Sequence, residues 1–182
     1  MSKLDTFKLT FLGAAQTVTG SMHHLQVGDK SVLVDCGLFQ GRRAESKHKN
    51  RHLSNLAVDA DAVILTHAHI DHSGNLPRLV RVGFKGKIHC TSATRDLCEH
   101  MLRDSAHIHE SDAAYLNRKN ANNPNWEKIE PLYTQKDAEE ALKHFVSHNY
   151  PYSGNAAVSI CNYEILKTLC YYTGVLDVEQ RR

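Results

Sequence analysis

Apolar positions along the chain recur with two periods, and the change from one to the other marks its elements. Phe7, Leu9 and Phe11 alternate with Lys8 and Thr10, the pattern of a half-buried strand, before Gly13 opens a loop. Residues 22–27 and 31–35 repeat the pattern on either side of Gly28-Asp29-Lys30, which predicts a hairpin. Residues 62–65 are an unbroken apolar run, long enough for a buried strand and far too short to cross a membrane. The spacing then turns helical: Leu76, Leu79, Val80 and Val82 precede Gly83, a C-terminal stop. Residues 88–90 suit a short strand. A long helix is expected over 93–118, capped by Ser92 or Thr94, with Leu97, Met101, Ile108, Tyr115 and Leu116 as the stripe that meets the core. Residues 117–130 form a polar loop broken by Pro124 and anchored by Trp126, and a second helix covers 135–145. Further on, 158–160 suit a strand and 164–172 a helix. The mixture predicts an α/β (or α+β) fold.

Composition narrows this modestly. The 182 residues make one domain-sized unit with enough chain for a substantial core, and the net charge of +2 does not by itself announce a nucleic-acid binder. The five cysteines are odd in number and contain no C-x-x-C pair, which argues for reduced thiols rather than a disulfide scaffold or zinc ribbon. Residues 1–12 lack the uninterrupted apolar core of a signal peptide, and no stretch has the length of a membrane span. A cytoplasmic, aqueous environment with no membrane partner is therefore expected. No internal repeat or low-complexity tract is present.

The chemistry concentrates just past the apolar run, in Thr66-His67-Ala68-His69-Ile70-Asp71-His72. In extended or turning backbone, residues i and i+2 face the same side, so His67 and His69 can offer two imidazoles to one ion while Ala68 stays clear. Asp71 and His72 follow where the chain bends toward a helix and can serve a second ion, roughly 3.5–4 Å from the first as in two-metal hydrolases. Isolated histidines such as His23, His24, His89 and His100 are expected to be structural. His107 and His109, two apart on a helix, cannot share an ion. Asp35 ends a strand, where a buried carboxylate is costly unless it accepts hydrogen bonds. The segment 42–52 is the most basic of the chain. Arg42, Arg43, Lys47, Lys49 and Arg51 could contact phosphates, although such a run is more often a solvated loop and no aromatic residue stands among them to stack a base.

H-x-H-x-D-H after an apolar strand resembles the second signature motif of the metallo-β-lactamase superfamily. Thr19-Gly20-Ser21, Val34-Asp35-Cys36-Gly37 with Phe39-Gln40-Gly41, Asp71-His72-Ser73-Gly74, residues 91–97, and Pro131-Leu132-Tyr133-Thr134 look like its β-CASP branch of RNA- and DNA-processing nucleases. The resemblance implies part of a four-layer αββα sandwich, comprising its first half, and two zinc ions. It implies His67 and His69 on one ion, Asp71 and His72 on the other, Asp71 also accepting a proton from the attacking water, and Asp35 steadying the ligands from behind. An RNA or DNA phosphodiester would be the substrate; homo-oligomer formation is left open. Thr66 and Ser73 are expected to fix the loop and cap the next helix.

The branch's third histidine motif, its bridging aspartate and its nucleic-acid domain have no counterpart here, and 152–182 contain no histidine. The division expected is an N-terminal metallo-β-lactamase-like part over 1–150 and a divergent tail over 151–182, with weak or absent activity for a truncated form. His144 and His148, four apart, are expected to pair along one helix rather than supply the missing ligand. Two other classes remain: a small-molecule metallohydrolase of thioesterase or lactonase type, and a non-catalytic interaction subunit.

Overall fold

A computed structural model describes residues 7–148; the strand and helix expected over 158–160 and 164–172 lie outside them. Three strands, β1 (Phe7–Phe11), β2 (His23–Val27) and β3 (Lys30–Val34), form an antiparallel meander. Helices α1 (Arg43–Arg51) and α2 (Asn55–Val58) carry the chain to β4 (Ala62–Ile64), which lies parallel to β3. A turn of helix, α3 (Ile70–Ser73), and α4 (Leu76–Arg81) lead to β5 (Lys87–Thr91). The long α5 (Ser92–Lys119) and α6 (Gln135–Leu142) then return the chain to β6 (Phe145–His148). The result is one six-stranded sheet in sequential order, antiparallel over its first three strands and parallel thereafter.

Register divides the sheet into two faces. Leu33, Val63, Ile88 and Phe145 are cross-strand partners in one row, and all belong to the main core with Leu76, Leu79 and Leu102 of the helices. The other face carries a smaller cluster of Leu25, Val32, Ala62 and Ile64. Leu9 pairs with Leu25 on that second face, yet Leu9 is 47% and Phe11 60% exposed. The half-burial expected of β1 is therefore not found: β1 is an edge strand whose apolar side points away from the helical layer.

The long helix is real, but only Met101 and Leu116 of its predicted stripe are even partly buried. Leu97, Ile108 and Tyr115 are 50%, 49% and 56% exposed, while Thr94, Cys98, Leu102, Ala106 and Ala113 are buried. The small Thr94, Cys98, Ala106 and Ala113, with Leu102, form the side of α5 that lies against β5, β6 and α6, while Leu97, Ile108 and Tyr115 turn outward. Its cap is Thr91 rather than Ser92 or Thr94, the Thr91 hydroxyl accepting from the Thr94 N–H at 3.2 Å. Helix α6 starts with a reciprocal capping box between Thr134 and Asp137. It ends at Leu142, so His144 and His148 do not share a helix. Pairing of β6 with β5 places His148 beside His89, His89 Nδ1 and His148 Nε2 being 2.9 Å apart with the rings stacked.

Candidate metal centre

Residues 65–72 follow the C-terminal end of β4, where the segment after β3 runs beside them. Asp35 N donates to Ile64 O, Cys36 N to His72 O, Ser21 N to Asp71 O and Leu38 N to Ile70 O, all at 2.8–3.0 Å. The approach is so close that a Cβ on Gly37 would stand 1.6 Å from the Asp71 carbonyl oxygen. Only glycine fits there. Asp35 itself takes the left-handed conformation, φ 61°, which Asp tolerates better than most residues and which turns its side chain under the histidine loop.

Nearly all of the Asp35 side chain is buried, and it is surrounded by donors. Its Oδ1 accepts from Thr66 N at 2.8 Å and Thr66 Oγ1 at 2.9 Å; its Oδ2 accepts from His72 Nδ1 at 2.7 Å and Ser21 Oγ at 3.3 Å. Four donors offset the desolvation of the carboxylate. The pattern also assigns the tautomers of two histidines. In the neutral ring, with His72 Nδ1 donating to Asp35, the lone pair is on Nε2, 3.7 Å from Asp71 Oδ2. Because the Thr66 hydroxyl hydrogen goes to Asp35, the 2.9 Å contact between Thr66 Oγ1 and His67 Nδ1 needs the proton on Nδ1, freeing His67 Nε2 as well. Burial, then the neighbouring His72, lowers the His67 pKa, so its ring is neutral at neutral pH, as a ligand must be.

The four predicted donors stand in one group. The ring centroids of His67 lie 4.7 Å from His69 and 4.0 Å from His72, and Asp71 adjoins His72. Among the described residues, however, no three His, Cys, Asp or Glu side chains are arranged to hold a single ion. Imidazole nitrogens and a carboxylate suit zinc in kind, but four donors fall short of the three per ion that a two-metal catalytic centre would take from protein. Ser73 fixes the loop by donating to Ala68 O at 2.7 Å and His69 O at 3.1 Å, but neither α3 nor α4 has a side-chain cap. Ser21 was not foreseen as an Asp35 partner; its place beside Gly20 in the Thr-Gly-Ser motif was the only signal.

The basic segment is a helix, not a loop, and several of its charges are already engaged. Lys49 pairs with Glu45 at 2.8 Å and lies 3.9 Å over the Phe39 ring, and Arg51 Nη2 donates to the Glu130 carbonyl. Arg42 stands exposed at the N-cap position of α1, Arg43 is its first residue, and Lys47 is exposed with no acidic partner among the described residues. No helix among them is long and apolar enough to cross a membrane.

A family described as the metallo-beta-lactamase superfamily matches residues 19–161. Over 132 residues the chain is 39% identical to ribonuclease TTHA0252 of Thermus thermophilus, covering 72% of this chain and 26% of that protein. It is 32% identical over 143 residues to transcription termination factor FttA of Methanocaldococcus jannaschii, covering 79% of this chain and 20% of the other. The chain thus spans about a quarter or less of the length of these curated relatives. A solved metallo-beta-lactamase with a HARLDQ motif from Cronobacter sakazakii superposes with a TM-score of 0.38 at 20% identity, covering 50% of this chain and 32% of that one. With its β-CASP ribonuclease-like relatives, the chain belongs to the metallo-beta-lactamase superfamily.

Proposed function

We propose that the chain carries part of the metal centre of a zinc-dependent hydrolase that cleaves RNA phosphodiester bonds. The observation that supports this best is the Asp35 relay, which leaves the Nε2 lone pairs of His67 and His72 free on one group of side chains. The ribonuclease and the termination factor among its relatives favour RNA over a small thioester or lactone.

In this reading His67 and His69 hold one ion, and Asp71 and His72 the other. Zinc, when bound, would lower the pKa of water and polarise a phosphoryl oxygen. The chain's own residues do the rest. Asp71 accepts the proton of the attacking water, and Asp35 keeps the His72 ring oriented directly and the His67 ring through Thr66. Arg42 and Lys47 meet the phosphates of the strand. With two ligands per ion, cleavage by this chain alone is weak.

The test is cleavage of an end-labelled single-stranded RNA by purified chain with zinc, with chelator, and as Asp71→Asn. Slow, zinc-dependent cleavage lost in the variant is expected. Hydrolysis of thioesters but not RNA would overturn the substrate assignment, and chelator-resistant cleavage would overturn the metal.

A further inference from the structure

A cavity of about 630 Å³ opens between α1, the C-terminal half of α5 and the loop beyond it, a size that suits a small ligand. None of the four metal-site residues lines it. Its wall includes Leu116, Ile129 and Trp126, and Asn117 fixes that wall: Asn117 Oδ1 accepts from the Trp126 indole N–H at 3.1 Å and from Ile129 N at 2.9 Å. His109 also lines the cavity, packed edge-on against Tyr133 at 4.9 Å, and its Nε2 is buried without a hydrogen-bond partner. Burial above all lowers the pKa of this histidine, so the ring is neutral. Lys47, exposed and without an acidic partner among the described residues, stands on the rim. Arg51 braces the wall through the Glu130 carbonyl. Two carboxylates share the lining, Asp112 and Glu130, the second of them 3.8 Å from Arg81.

The basic helix, which has no aromatic residue of its own among its charges, thus receives one from a loop some 75 residues away along the chain. We infer that this cavity holds one base of a single-stranded RNA, with the base against Trp126 and a phosphate at Lys47. The inference rests on the RNA reading above and adds a docking point away from the metal centre. Stacking on an aromatic ring beside a cation is how single strands are held without sequence readout. An apolar peptide side chain would fill the same wall but leave Lys47 without an anionic partner.

Trp126 is the chain's single tryptophan, so its fluorescence reports this cavity. The full chain, with chelator to prevent hydrolysis, is titrated with a short oligoadenylate, with polyphosphate of matched charge and with a leucine-rich peptide. Saturable quenching by oligoadenylate alone is expected. By anisotropy of labelled oligoadenylate, Trp126→Leu should weaken binding about tenfold, Trp126→Phe should retain most of it, and Lys47→Glu should weaken it several-fold. Equal quenching by polyphosphate, quenching by the peptide alone, or unchanged binding by Trp126→Leu would overturn the inference. RNA cleavage without quenching would overturn it while leaving the RNA reading intact. Quenching that persists in an Asp71→Asn chain unable to cleave would uphold it.

Discussion

Asp35→Asn removes one charge and almost no volume, and it tests the relay without distorting the backbone, because asparagine also tolerates the left-handed conformation at φ 61°. The amide keeps one acceptor oxygen. If that oxygen stays with Thr66, the new amide N–H₂ faces His72 Nδ1, where a carboxylate oxygen now accepts at 2.7 Å. Two donors cannot meet, so His72 must move its proton to Nε2 and turn Nδ1 into the acceptor. Its lone pair is then lost from the side facing Asp71. A hydrogen bond to a charged group contributes about 1.5–3 kcal/mol, and the variant weakens more than one of the four, so roughly 3 kcal/mol of stability should be lost without any metal. With a urea dependence of about 2 kcal/mol per molar, the midpoint should fall by about 1.5 M. Zinc affinity should drop about 10- to 100-fold, as when the partner of a ligating histidine is removed. Urea unfolding followed by far-UV circular dichroism gives the first quantity, and competition with a chromophoric chelator gives the second. A variant with the wild-type midpoint and wild-type affinity would refute both the relay and the tautomers assigned from it.

Three further outcomes follow from other contacts. Burial, then His148 and Lys87, hold His89 down to about 4 against an ordinary value near 6.5, so the unfolded chain binds this proton first and stability falls as pH drops from about 6.5 to about 4. Water at the half-buried pair limits the loss to at most roughly 3 kcal/mol, and His89→Gln should flatten the pH dependence of the urea midpoint in that window. Gly37→Ala forces a Cβ to within 1.6 Å of the Asp71 carbonyl oxygen, and thermal melts should show a loss of about 3 kcal/mol or more together with weaker zinc binding. Leu102→Ala, fully buried on α5, should cost about 2–5 kcal/mol in urea unfolding, whereas Leu97→Ala on the half-exposed side should stay within about 0.5 kcal/mol. Equal costs at the two positions would contradict the face assigned to α5.

What was legible in the sequence was local. The hairpin and β4 were readable because alternation and an apolar run each lie within a few residues, and the candidate donors stood out because four of them fall within six residues. The face of α5 was not, because large apolar side chains are the usual mark of a buried stripe. Here Cys98, Ala106 and Ala113 are buried instead, their small size permitting close contact. His144 and His148 have helical spacing, but pairing with β5 outweighed it for His148. Position 35 was visible as a costly carboxylate. Its left-handed backbone and its bond from Ser21 depend on a loop crossing that local pattern does not encode.

The central claim, that His67, His69, Asp71 and His72 form a cation centre, is tested most directly by zinc content. The wild-type chain and a His67→Ala/His69→Ala variant are equilibrated with the same zinc buffer, dialysed and assayed for metal, with circular dichroism showing that both are folded. The account predicts zinc on the wild-type chain and a marked loss in the folded variant. Equal zinc on both would place the metal among the other histidines and contradict the account.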